Sequence, residues 1–293
     1  MRSLRLLFLA TTALIAMSSL HAASPAQPDL AITLQAIVSD LAKPLSGLSA
    51  LVIRDGQVVF EGHYGQRVVA DGTASQGLAA DHATLYRMAS ISKLVTTIGV
   101  MRLVDAGQLD FDADIGQYLG YKVRNPHFAD VPITTRMLLT HTSSLRDDGG
   151  YFFPLDTPLK SVLQPGTGQA GPGAPWAAAD AQSDRSPGRY FTYCNLNFGV
   201  VGTVIEAITR QRFDLYMQQQ VLQPLGIAGG FTPETLTRAD IAHVAVLYRK
   251  ARNDVWDANG PWVPQVDDYQ GKVPTPRAGL DAYVPGTNAT GFG

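Results

Sequence analysis

Ser90 and Lys93 stand three residues apart in Tyr86-Arg87-Met88-Ala89-Ser90-Ile91-Ser92-Lys93, at the head of a stretch that stays apolar to about Ala106. On a helix this spacing puts a hydroxyl and an amine on one face, within reach of each other. A cation in the first turn opposes the positive end of the helix dipole, and Leu94, Val95 and Ile98 predict desolvation around it. Both effects favour the neutral amine, which can take the hydroxyl proton, while free N–H groups at the same helix end can stabilise an oxyanion. The chemistry is acyl transfer through a serine. Alone the pattern is weak: with six lysines and fifteen serines, Ser-x-x-Lys is expected about 0.3 times by chance. An N-capping serine beside a snorkelling lysine would read the same way.

A second cluster, Pro187-Gly188-Arg189-Tyr190-Phe191-Thr192-Tyr193-Cys194-Asn195, leads into a helix starting near Asn197. It puts a phenol and a carboxamide two residues apart on a tight connection. Tyr193 there can share a serine's proton, and Asn195 can hold a substrate amide. Read in isolation, the pair is better taken as a buried tyrosine bonded to backbone and an N-capping asparagine.

These residues need elements to position them. The run from Ser90 to about Ala106, with Leu94, Val95, Ile98, Val100, Met101, Leu103 and Val104, is apolar on nearly every side, which predicts a buried helix. Leu30, Leu34, Ile37, Val38 and Leu41 predict a short amphipathic helix ending near Pro44. Residues Leu48 to Arg54 and Gln57 to Gly65 flank Asp55-Gly56, a dipeptide suited to two-residue hairpin turns, and predict an antiparallel hairpin. Further helices are expected at Thr134 to Thr140, Asn197 to Thr209 and Phe213 to Leu222. Arg146 to Gly188 reads as a long Gly/Pro/Ala-rich excursion, of the kind found in lids or disordered segments.

Composition narrows the function classes. Hydrophobic residues make up 45% of the 293 and charged residues 16%, against about 25% charged in an average globular chain, which excludes a disordered or coiled-coil protein. A net charge of -2 gives no electrostatic reason to bind nucleic acid, so a small-molecule or peptide partner is expected. Cys194 is the one cysteine, so neither an intrachain disulfide nor a cysteine metal cage can form. Arg2 and Arg5 before the apolar stretch Leu6 to Leu20, followed by His21-Ala22-Ala23, have the form of a cleavable secretory signal over residues 1–22. Cleavage after Ala22 would leave a periplasmic or secreted domain, residues 23–293, with no stable membrane insertion. The oligomeric state is not indicated.

With both motifs in place, the chain resembles the penicillin-recognising serine hydrolases, and among them the class C β-lactamase-like group that also holds D-alanyl-D-alanine carboxypeptidases and esterases. Between the motifs, Leu138-Leu139-Thr140-His141-Thr142-Ser143-Ser144-Leu145 is similar to the family's Leu-Leu-Thr-His-Thr-Ser-Gly segment, with Ser144 where glycine is usual. After them, Pro224-Leu225-Gly226-Ile227 is similar to its Pro-Leu-Gly-Met turn. The resemblance implies an α/β (α+β) fold with an antiparallel sheet flanked by helices and a mostly helical lobe. It also implies Ser90 as the acylated nucleophile, Lys93 as its proton partner, and Tyr193 and Asn195 as the second motif, without metal or other cofactor. Cys194 reads as a small packing residue. His141 is given no catalytic role, because in relatives this histidine belongs to a structural segment.

The resemblance has one gap. The family's third motif, Lys-Thr-Gly or His-x-Gly on a strand beside the nucleophile, has no counterpart after Asn195, and His63-Tyr64-Gly65 lies on the hairpin before Ser90. The later sheet strands are therefore expected to be missing, and the chain as given to fold poorly and turn over little substrate. The leading expectation is a serine hydrolase forming an acyl-enzyme on a D-Ala-D-Ala-type peptide, a β-lactam or a small ester. The alternative is a fragment or degenerate homologue that keeps the pocket without turnover. A noncatalytic cell-wall-binding module would show aromatic stripes or repeats, and Trp256, Trp262 and Tyr269 read instead as packing residues.

Overall fold

A computed structural model describes residues 28–70, 77–163 and 175–292 of the chain. The signal-like residues 1–22 lie outside them, as does part of the 146–188 excursion. Two compact units are present, one running to His82 and including Asp257–Gly260, the other formed by Ala83–Trp256 and the residues from Pro261 on.

In the first unit, α1 (Pro28–Val38) packs on a hairpin of β1 (Gly47–Arg54) and β2 (Gln57–Val68), and the short β3 (Leu78–Ala79) pairs with β2. Asp55 and Gly56 both take positive φ, 53° and 73°, as the tight turn expected from the sequence requires. Helix α1 stops well before Pro44. The Asp40 carboxylate accepts from the Ala42 amide at 2.7 Å, and that local turn competes with a further helical turn. The His63 ring bonds Ser49 at 2.8 Å and Glu61 at 3.0 Å within the hairpin.

The second unit carries α2 (Ser92–Asp105), α3 (Gly116–Leu119), α4 (Thr135–Leu139), α5 (Leu159–Leu163), α6 (Leu196–Thr209), α7 (Phe213–Met217) and α8 (Arg238–His243). A wide helical turn, Gln218–Leu222, extends α7. The chain then forms a second antiparallel sheet with β4 (Leu247–Arg252) between β5 (Val255–Trp256) and β6 (Trp262–Val266), so the segment after Leu225 has strands of its own. Trp256 is exposed rather than packed, and Trp262 lies under the Lys250 ammonium at 5.0 Å.

The expectation that α2 is buried on every side is overturned. Thr96, Gly99, Val100 and Leu103 face the core, whereas Leu94 is 66% exposed and Ile98 and Met101 are also open. Helix α6 is the central one. Ten of its residues are buried, and it packs against α2, α3, α4 and α7. Its glycines make this possible: a Cβ on Gly202 would come within 3.0 Å of Ala289, and one on Gly199 would run into Thr290. Close approach of neighbouring elements, permitted by these glycines, is what puts α6 rather than α2 in the middle.

The described parts of the 146–188 excursion contribute to the core despite their composition. Leu159, Val162, Leu163 and Trp176 enter the core, and the Trp176 indole donates to the Leu163 carbonyl at 3.0 Å. Full burial of each such side chain contributes about 1.5–3 kcal/mol, enough to hold short segments that Gly and Pro would otherwise leave loose. Backbone bonds from Arg146 to Pro175, Ala177 to Ser144 and Gly188 to Thr142 stitch both ends of the excursion to the loop after α4.

Candidate active site

Ser90 lies in a single 3-10 turn, Ala89–Ile91, that feeds directly into α2. The turn starts from an unusual backbone: Ala89 has φ 45°, in the left-handed region that residues with a Cβ avoid. Upstream, the Arg87 guanidinium is held bidentately by Asp267 at 2.8 and 2.6 Å, which anchors the approach to the serine at the end of β6.

Ser90 Oγ lies 2.7 Å from Tyr193 Oη and receives a bond from Lys93 Nζ at 3.1 Å. The lysine ammonium also donates to Asn195 Oδ1 at 2.8 Å and sits 5.0 Å from the Tyr193 ring centre. The four residues picked out from the sequence therefore form one connected group across the first turn of α2 and the start of α6. The apolar enclosure expected around Lys93 is not seen among the described residues, since Leu94 and Ile98 point outward from the helix. Its Nζ instead meets Ser90 and Asn195 and faces the Tyr193 and Phe198 rings at 5.0 and 5.5 Å. Lys93 and then Ser90 pull the Tyr193 phenol below its ordinary value by stabilising the phenolate.

His141, with φ 57°, lies behind this group. Its ring is 4.5 Å from the Tyr193 ring, and Nδ1 accepts from the Cys194 amide at 3.2 Å, while the His141 carbonyl accepts from the Thr192 amide. Burial and then the Lys93 charge lower its pKa, which favours the neutral ring. These contacts fix the backbone around Tyr193. They do not place an imidazole nitrogen on Ser90.

Ser144, at the position where the resembled segment has glycine, has φ 66°, a backbone region that favours glycine. Here its hydroxyl accepts from the buried Asn125 amide at 3.0 Å. Cys194 is buried, and burial first, then the Asp147 carboxylate, push its thiol up, the opposite of an activated nucleophile.

The sequence reading missed Asp147. Its carboxylate accepts from the Asn195 amide and side chain, the Leu196 amide and the Cys194 thiol. No spacing rule marks an acidic residue 48 positions from its partner. Among the described residues no group of three or more His, Cys, Asp or Glu is arranged to hold a metal ion, and no helix is long and apolar enough to cross a membrane.

The fold around this group matches known proteins. "Penicillin-binding protein 4" of Amycolatopsis lactamdurans is 30% identical over 173 residues, covering 57% of this chain and 41% of that protein. A "Putative D-alanyl-D-alanine carboxypeptidase" of Escherichia coli K12 is 26% identical over 219 residues, covering 66% of this chain and 46% of that one. The chain thus spans less than half the length of these curated relatives. The octameric penicillin-binding protein homologue from Pyrococcus abyssi superposes with a TM-score of 0.59 at 25% identity, covering 81% of this chain and 50% of that one. The mixed helices and antiparallel sheets are those of the β-lactamase/transpeptidase-like fold. A sequence model of the beta-lactamase family matches residues 34–286, and the chain belongs to that family.

Proposed function

We propose that the chain is a serine hydrolase in which Ser90 forms an acyl-enzyme on an amide or ester carbonyl. The supporting observation is the convergence on Ser90 Oγ of Tyr193 Oη at 2.7 Å and Lys93 Nζ at 3.1 Å, a phenol able to exchange its proton and an ammonium that favours the ionised phenol. In the acylation step Ser90 Oγ attacks the carbonyl carbon as its proton passes to Tyr193 Oη, ionised for this step beside the Lys93 ammonium. The tetrahedral oxyanion collapses, the bond to the leaving group breaks, and Tyr193 returns the proton to the departing amine or alcohol. Water then repeats the sequence on the acyl-enzyme, releasing the acid and restoring Ser90. Asn195, held between Lys93 and Asp147, is the candidate contact for a substrate amide.

Resemblance to proteins named as a penicillin-binding protein and a D-alanyl-D-alanine carboxypeptidase supports a D-Ala-D-Ala-type peptide, a β-lactam or a small ester as the substrate class. Export to the periplasm or outside the cell, after removal of residues 1–22, belongs to the same proposal; N-terminal sequencing of exported protein should begin at Ala23. A fluorophosphonate or penicillin-type probe tests the mechanism: peptide mapping should find the label on Ser90 and none in Ser90→Ala. Label on Ser143 or Ser144 instead would overturn it.

A further inference from the structure

We propose that Asp147 is a positioning residue for the Ser90 centre, fixing the orientation of the Asn195 carboxamide and so the direction of the Lys93 bond. The inference rests on the reading of Ser90 as the nucleophile. Both oxygens of Asp147 are fully engaged. Oδ2 accepts from Asn195 N and Asn195 Nδ2, each at 2.8 Å, and Oδ1 accepts from Leu196 N at 3.0 Å and from the Cys194 thiol at 3.2 Å.

The logic is one of donors and acceptors. An ionised carboxylate can only accept, so Asn195 must turn its NH2 toward Asp147 and its carbonyl oxygen toward Lys93. That orientation gives Lys93 Nζ an acceptor at 2.8 Å, which fixes one N–H direction and leaves another aimed at Ser90 Oγ. With the carboxylate gone, the carboxamide is free to rotate by half a turn and present its NH2 to the ammonium, donor against donor. The effect then travels from Asp147 through Asn195 to Lys93 without Asp147 touching the reacting atoms.

A second contribution comes from the helix end. Asn195 occupies the N-cap of α6 but makes no capping bond with its own side chain. Asp147 supplies the missing acceptor from another segment, binding the first amides at the positive end of the helix. Burial works against the charge. The amides of Asn195 and Leu196, then the side chains of Cys194 and Asn195, outweigh it and hold the carboxyl below its ordinary value. Asp147 therefore stays ionised at neutral pH, which the orientation argument requires.

The test uses the whole chain and two readouts. The first is a double-mutant cycle on the rate of Ser90 labelling by a fluorophosphonate. Asp147→Asn should slow labelling about 10- to 100-fold at saturating probe while hardly changing the half-saturating concentration, and adding it to Asn195→Ala should cost less than about 2-fold more. Asp147→Glu should recover part of the rate. Additive losses in the double variant would show that Asp147 does not act through Asn195 and would overturn the proposal. So would an unchanged rate in a folded Asp147→Asn. The second readout does not depend on reaction. In the NMR spectrum of the unsubstituted chain, the Asn195 side-chain amide protons should exchange more slowly than those of the exposed Asn259. Equal exchange would refute the orientation even if Asp147→Asn failed to fold. Absence of any label on Ser90 would instead overturn the proposed function, and the exchange result would still decide the role of Asp147.

Discussion

Tyr193 Oη and Ser90 Oγ, 103 residues apart in the chain, are 2.7 Å apart in space, so one proton serves both oxygens. Lys93 reaches the same serine oxygen from the next helical turn at 3.1 Å. Tyr193, ionised with the help of the lysine ammonium, can receive the proton, whereas Lys93 donates to the serine and ties it to Asn195 as well. Loss of each should therefore have a different signature.

Lys93→Ala removes both the bond to Ser90 and the charge that lowers the Tyr193 phenol. Labelling of Ser90 should fall by about 10²- to 10⁴-fold, the usual range for losing a positioned acid or base. Tyr193→Phe should slow turnover and leave the label on Ser90. Rapid-quench labelling kinetics with peptide mapping check both, and an unaffected Lys93→Ala would remove the lysine from the mechanism.

Ala89 has φ 45° and no polar side chain to compensate, unlike Ser144, which occupies a similar backbone region but bonds Asn125. Glycine relieves the Cβ contact while raising the entropy of the unfolded chain. Since the left-handed region costs a non-glycine residue about 1–2 kcal/mol, Ala89→Gly should stabilise the chain by about 0.5–1 kcal/mol. Urea unfolding measures it. A loss of stability would mean that this backbone is not strained in solution.

The Tyr216 hydroxyl donates to the Gly99 carbonyl at 3.0 Å, and a Cβ on Gly99 would lie 2.7 Å from Met217 Sδ. Met217 is fully buried and has little room to retreat. Gly99→Val should therefore cost about 1–3 kcal/mol by overpacking the contact between α2 and α7. Because α2 carries Lys93, labelling at Ser90 should fall as well, and calorimetry alongside labelling would show whether the two losses coincide.

The grouping of Ser90/Lys93 with Tyr193/Asn195 was legible through the family resemblance, since each short pattern alone reads equally as capping or packing and only the fold brings the two together. The hairpin was legible locally, since Asp55-Gly56 specifies its own turn. Asp147 was not, because nothing in a loop sequence says which distant amides a carboxylate will meet. The centrality of α6 was hidden too, since Gly199 and Gly202 weaken an apolar pattern while permitting the closest packing. Trp176 and Leu163 lie in a Gly/Pro-rich run whose composition masks the few side chains that anchor it.

Glu206 provides a pH test of the core. It is buried on α6, and its carboxylate accepts from Phe213 N at 2.8 Å, from Gly286 N at 3.2 Å and from the Tyr283 hydroxyl. Burial is the largest influence and raises its pKa from 4.5 to about 7, despite these three donors. The folded chain therefore binds a proton more tightly than the unfolded one. This stabilisation is complete below pH 4.5 and fades as pH rises toward about 7, a change of at most about 3 kcal/mol. His141 acts in the opposite sense, because its pKa is lowered from 6.5 in the fold and its contribution grows with pH. Glu206→Gln separates the two. Glutamine keeps an acceptor for Phe213, gives up the Gly286 bond and turns its NH2 toward the Tyr283 oxygen, a cost that does not depend on pH. The stability difference between the unsubstituted chain and Glu206→Gln, measured by urea unfolding from pH 5 to 8, should thus shrink or change sign as pH rises. A difference that stays constant across that range would mean that Glu206 is ionised in the fold throughout, with its three donors outweighing its burial.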